Sequence, residues 1–173
     1  MGKVLVVVDM QKDFVDGALG SKEAVEIVDN VVNKINEFEG TIFVTYDTHP
    51  DNYMETREGK YLPVPHCIKD TDGWKLNDKV QKALEGKEYK EIYKPTFGST
   101  KLTEEFTDCE ENKVEVTLIG LCTDICVISN ALLLKATYPE MDITVDANCC
   151  AGVTPKKHEA ALEVMRSCQI NIV

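Results

Sequence analysis

The turn after the first apolar run reads DMQKDFVDGALG and holds no GxGxxG, and no GxxxxGK[ST] occurs in the chain. Neither of the usual glycine-rich phosphate cradles is present, so no nucleotide or redox cofactor is expected. Basic residues are outnumbered: 19 Lys and Arg face 30 Asp and Glu, a net charge of −11, with no basic tract. Nucleic acid is thereby a poor partner, because phosphate binding needs clustered cations that release counterions. No apolar run approaches the ~20 residues of a bilayer span, which argues against a membrane protein. The chain opens MGKVLVVVD without a leader that ends in a small-residue cleavage site, and a cytoplasmic location is expected. Histidine is scarce, at three residues, so any imidazole chemistry rests on His49, His66 or His158. The seven cysteines include no CxxC pair and form no even-numbered ladder, so most should be small buried hydrophobes in a reducing compartment.

What is there fits one domain over residues 1–173. A chain of this length buries about 70% of its unfolded surface, and 43% hydrophobic residues supply the core. Short β-branched runs at 3–8, 41–46, 89–93, 114–119, 142–145 and 169–173 read as six strands. Segments with helical spacing lie between them, at 22–38, 76–84, 100–106, 123–136 and 155–165. Strands that are apolar throughout belong to a parallel sheet covered on both faces, so the expected fold is a three-layer, doubly wound α/β sandwich of Rossmann-like type. The stretch from Asp47 to Asp72 lacks either periodicity, and a long interval of this kind in a small domain is usually functional. Asp9, Asp47, Lys94 and Gly120 all follow predicted strand ends, where open α/β sheets bind their ligands.

Two groups of residues could carry chemistry there. Cys126 falls in the first turn of a predicted helix, where free N–H groups and the macrodipole stabilise a thiolate and can hold an oxyanion. Packing of Cys122 and Cys126 on one helical face is the commoner reason for such a pair. With His158 read as a surface residue, the base for a nucleophilic Cys126 is Asp9, and Lys94 is the accompanying positive charge. Taken alone, Lys94 reads as a surface lysine. The second group is Asp47, His49, Glu58 and His66, with Glu55 competing for the third place. Asp-x-His at a strand end puts two ligands on one side of the chain, and carboxylates with imidazoles suit Zn²⁺, Fe²⁺ or Mn²⁺. The vicinal Cys149 and Cys150 are expected as small crevice-lining residues after the fifth strand.

The segments VVVDMQKDF, DTHPDNY, PVPHCIKDTDGW, KPTFGST and GLCTDICV, in this order, resemble the nicotinamidase-related branch of the isochorismatase-like cysteine hydrolases over nearly the whole chain. The resemblance implies a six-stranded parallel sheet and a triad of Asp9 as general base, Lys94 as polarising cation and Cys126 as nucleophile. It further implies an oxyanion hole from the backbone N–H groups of Cys122 and Cys126, and a non-proline cis peptide between Leu121 and Cys122. One divalent metal, zinc first and iron or manganese next, would sit on Asp47, His49, Glu58 and His66. Vinyl-ether-cleaving relatives typically lack the thiol, so Cys126 points to the amidase branch: nicotinamide hydrolysed to nicotinate and ammonia through a thioester. Phe14 matches an aromatic that packs on the nicotinamide ring, and Leu121 and Ile125 are the further substrate contacts expected. Leu62 and Pro63 stand where relatives often have a second aromatic, which leaves another small amide or carbamoyl compound as the alternative substrate. A metal-binding scaffold without activity is the alternative of a different class. Relatives commonly assemble, so a homo-oligomer is expected.

Overall fold

A computed structural model describes residues 2–173. Along the chain run β1 (Lys3–Val8), α1 (Lys12–Val15), α2 (Lys22–Glu26), α3 (Val28–Glu37), β2 (Thr41–Asp47), α4 (Arg57–Tyr61), α5 (Asp78–Leu84) and β3 (Tyr89–Lys94). They are followed by α6 (Thr100–Glu104), β4 (Glu115–Leu121), α7 (Ile128–Thr137), β5 (Asp142–Ala151), α8 (Pro155–Ser167) and β6 (Asn171–Ile172). The strands form one sheet in the order β3-β2-β1-β4-β5-β6, with every neighbouring pair parallel. This is the expected single α/β domain.

The apolar strands explain the two helical layers. Val4, Val6 and Val8 of β1 point to one face, where they meet Leu102 of α6, Leu134 of α7 and Leu162 and Met165 of α8. Leu5 and Val7 point to the other, against Ala24 of α2, Val31 and Ile35 of α3 and Val80 of α5. A side-chain period of two therefore buries every residue of the central strand after Lys3. Helix starts follow ordinary capping chemistry: the side chains of Ser21, Thr56, Ser99 and Thr154 accept backbone N–H bonds at the starts of α2, α4, α6 and α8, and Pro155 occupies the first turn of α8.

Several expectations need correction. The helix expected over 22–38 is interrupted at Ile27, in a stretch rich in the β-branched residues that weaken helices. The helix expected from Thr123 begins as a π-helical turn, Thr123–Val127, before α7. The interval after Asp47 is not structureless: it contains a 3₁₀ turn, Tyr53–Glu55, and α4, each too short to show a period. Asp47, Lys94 and Gly120 lie inside β2, β3 and β4 rather than beyond them, and only Asp9 follows its strand. β5 runs past Val145 to Ala151 across a register shift, so Cys149 and Cys150 are strand residues, one in each core layer.

The carboxyl ends of the strands set up the site. In the β2–β3 register Asp47 is the direct partner of Lys94. Gly120 lies beside Val8 with φ at +115°, and a Cβ there would sit 2.1 Å from the Val8 carbonyl oxygen. Only glycine permits this approach. Gly120→Ala should therefore destabilise the fold by about 3 kcal/mol or more, a melting temperature lower by roughly 6–12 °C in a circular dichroism melt.

Candidate active site

Lys94 is the hub. It is not a surface lysine but 1% exposed, and its ammonium lies 2.6 Å from Asp9 Oδ2, 3.4 Å from Cys126 Sγ and 3.5 Å from Asp47 Oδ1. It also donates to the Thr96 carbonyl at 3.1 Å. Three strand ends and the π-helical turn after β4 thus converge on one nitrogen.

Asp9 is fully buried and has a positive φ of 47°, a conformation that aspartate tolerates better than most residues. Its backbone N–H donates to the Thr45 carbonyl, and the Thr45 hydroxyl donates to Asp9 Oδ1 at 2.6 Å. Oδ2 makes no well-angled hydrogen bond, although Lys94 lies close to it. One carboxylate oxygen is therefore held by Thr45 and the other faces the Lys94 ammonium. Burial raises the Asp9 pKa, with the Asp47 charge adding to the effect and Lys94 opposing it. Burial likewise pushes the Cys126 thiol well above its ordinary range; Asp9 reinforces this and Lys94 works against it. A thiol and a carboxylate whose pKa values are shifted in the same direction can pass one proton between them with little change in the net charge of the dry site.

Cys126 sits in the π-helical turn that begins after Cys122, and the Leu121–Cys122 peptide is cis, as the resemblance implied. His158 is not a free surface histidine. It is half-buried, and its Nδ1 lies 2.8 Å from the Thr123 hydroxyl, tying α8 to that turn. The expected substrate contacts separate. Phe14 is half-buried with its ring 5.5 Å from that of His66, and Ile125 packs beside the Cys126 face of the core. Leu121 is a core residue of the opposite layer, because alternation along β4 points it away from Cys126.

Asp47, His49, Glu58 and His66 form the second constellation, with ligand atoms all within 4.8 Å of one another. His49 Nε2 lies 3.0 Å from Asp47 Oδ2, and His66 Nε2 lies 3.6 Å from both Asp47 Oδ2 and Glu58 Oε1. His66 Nδ1 donates to the Val64 carbonyl at 2.8 Å, which aims Nε2 at the carboxylates. Burial opposes a charge on His66, but the hydrogen bonds to Asp47 and Val64 and the charges of Asp47 and Glu58 outweigh it, so its pKa is raised. Asp47 shows the reverse: burial would raise its pKa, yet hydrogen bonds from both histidines and the nearby Lys94 hold it low. The donor set of two imidazole nitrogens and two carboxylates suits a divalent cation. Glu55 is elsewhere, exposed and bonded to Asn52.

Sequence reasoning missed the residues that hold these groups in place. Buried Gln11 grips both backbone groups of Asp47, donating to its carbonyl and accepting its N–H at 2.8 Å each, and also donates to the Trp74 carbonyl. Asp13 accepts the Cys67 N–H at 2.8 Å and so fixes the residue after His66. Thr45 could have been found from its place as a polar residue in an apolar strand, two before Asp47 and hence on its face.

Glu58→Ala should weaken Zn²⁺ binding by roughly 10- to 100-fold or more, whereas Glu55→Ala should leave it within about twofold, as read by calorimetric titration of the apoprotein.

The chain aligns with PncA, an isochorismatase family protein of Bacillus subtilis (strain 168), at 29% identity over 173 residues, covering 94% of this chain and 93% of the relative. Its fold matches the crystal structure of the nicotinamidase/pyrazinamidase PncA from Bacillus subtilis with a TM-score of 0.86, at 26% identity and over 100% of each chain. It also matches the Pyrococcus horikoshii pyrazinamidase in complex with zinc, with a TM-score of 0.80 at 29% identity, over 100% of this chain and 99% of the other. A model of the isochorismatase domain matches residues 3–173, and the chain belongs to the isochorismatase domain family.

Proposed function

We propose that the protein is a metal-dependent nicotinamidase, an amidohydrolase that converts nicotinamide to nicotinate and ammonia through a thioester on Cys126. The observation that carries this reading is the Lys94 ammonium, in contact with a buried thiol and a buried carboxylate and adjoining a carboxylate–imidazole cage. Relatives known as nicotinamidase/pyrazinamidase share the fold over the whole chain.

In this mechanism Asp9 takes the thiol proton while Lys94 stabilises the resulting sulfur anion. Cys126 Sγ attacks the carboxamide carbon, and the backbone N–H groups of Cys122 and Cys126 hold the oxyanion. Collapse of the adduct breaks the C–N bond, and the proton on Asp9 goes to the departing ammonia. Asp9, again ionised, removes a proton from water as it attacks the thioester, and the thiol and nicotinate are released. Phe14 packs on the pyridine ring. Asp47, His49, Glu58 and His66 would hold the metal, with Zn²⁺ favoured and Fe²⁺ or Mn²⁺ accepted by similar ligands. When bound, that ion supplies a coordination position for the ring nitrogen of the substrate.

Ammonia release from nicotinamide tests the proposal. Cys126→Ala should lower turnover by about 10⁴-fold or more, and chelation should suppress it until Zn²⁺ is restored. Absence of turnover in metal-replete native protein would overturn nicotinamide as substrate. A Cys126 that still alkylates readily would then point to another small amide, and an inert one to the scaffold.

A further inference from the structure

Asn130 is a fully buried polar residue of α7, four positions after Cys126. Its amide nitrogen donates to the Cys126 carbonyl at 2.8 Å and to the Phe97 carbonyl at 3.2 Å, and its amide oxygen accepts the Ser99 N–H at 3.0 Å. One side chain therefore joins the turn that carries the thiol to the segment that follows Lys94. That segment is also gripped from its other end, because the Lys94 ammonium donates to the Thr96 carbonyl. The connections form a closed ring: from Lys94 Nζ to Thr96, along the backbone to Phe97 and Ser99, across Asn130 to Cys126, and back to Lys94 through the 3.4 Å contact with Sγ.

The amide is well suited to this task. An amide group can donate and accept at once, and burial makes each of its bonds costly to lose. An apolar residue would fill the space but leave the Cys126 and Phe97 carbonyls and the Ser99 N–H without these partners. The turn it holds has π-helical geometry, with the Val127 N–H reaching back to the Cys122 carbonyl, so the backbone around Cys126 departs from the ordinary α-helical register.

We propose that Asn130 is a positioning residue that sets the Lys94–Cys126 contact by holding the turn of the nucleophile and the loop after the lysine as one unit. The inference rests on the thiol chemistry proposed above, and does not depend on nicotinamide being the substrate.

The test compares Asn130→Ala and Asn130→Ser with the native holoenzyme. Serine can still bond the carbonyl four residues back in a helix, which guards folding, but it cannot reach Phe97 or Ser99. Tyr138→Phe, which removes the hydroxyl that donates to the Thr103 carbonyl near the far end of α7, is the control for stability lost without effect on the site. Three quantities are measured: melting temperature, kcat and KM for ammonia release, and the rate of iodoacetamide labelling at Cys126 read by mass spectrometry. Both Asn130 variants should lose roughly 10- to 100-fold in kcat and in Cys126 labelling, with KM within about twofold. Tyr138→Phe should lower the melting temperature and change neither rate. A folded Asn130→Ser protein that labels at the native rate, or an equal loss in Tyr138→Phe, would overturn the inference. Native protein inert toward nicotinamide, with labelling that still falls in the Asn130 variants, would remove the proposed substrate and leave the inference standing.

Discussion

A single buried ammonium holds the two halves of the site together. Moving a lysine out of water costs several kcal/mol, and only close opposite charges offset that cost. Asp47, at the carboxyl end of the neighbouring β2, and Asp9, just after β1 one strand further in, supply them, and the Cys126 sulfur completes the surroundings. Loss of a carboxylate would leave the ammonium less well compensated in the core, so the Asp9–Cys126 pair and the carboxylate–imidazole cluster are coupled through Lys94. The pKa directions follow from the same arrangement: Asp9, dry and doubly influenced, is pushed up, whereas Asp47, surrounded by donors and cations, is held low.

Backbone geometry does much of the positioning. Parallel strands bring their carboxyl ends to one edge, and the β2–β3 register makes Asp47 and Lys94 neighbours before any side chain contributes. Gly120 allows β4 to approach β1, which brings the Cys122–Cys126 turn toward Asp9. The side chains of Gln11, Thr45 and Asn130 then fix what the backbone has placed. All three are buried, neutral and hydrogen-bonded, so they add rigidity without adding charge to an already crowded electrostatic site.

Much of this was legible in the sequence. The apolar runs marked the central strands, because residues buried on both sides must be largely apolar, and the motifs around Asp9, Asp47, Lys94 and Cys126 marked the edge where they meet. The short elements were not legible: α1, α4 and the turn at Tyr53 last about one turn each, less than a helical period needs to declare itself. Nor were the burial of Lys94, which depends on Asp9 and Cys126 from distant segments, or the choice between Glu55 and Glu58, which depends on how the loop after Asp47 folds back. Thr56 capping Gly59, where a Cβ would meet the Tyr53 carbonyl at 2.1 Å, sets that fold. The tie between His158 and Thr123 was likewise hidden, because it joins residues 35 positions apart.

The position of Lys94 in the sheet has one more consequence. β3 is one of the two edge strands and is paired only with β2, while Asp9 and Cys126 attach to the sheet's interior. Edge strands open more readily than central ones, since half of their backbone groups lack a strand partner. Were the carboxyl end of β3 to separate from β2, the ammonium would withdraw and leave the thiol and carboxylate facing each other without a cation. The chemistry of the interior strands thus depends on the adhesion of one border strand, held at its carboxyl end by the bond from the Thr48 N–H to the Lys94 carbonyl.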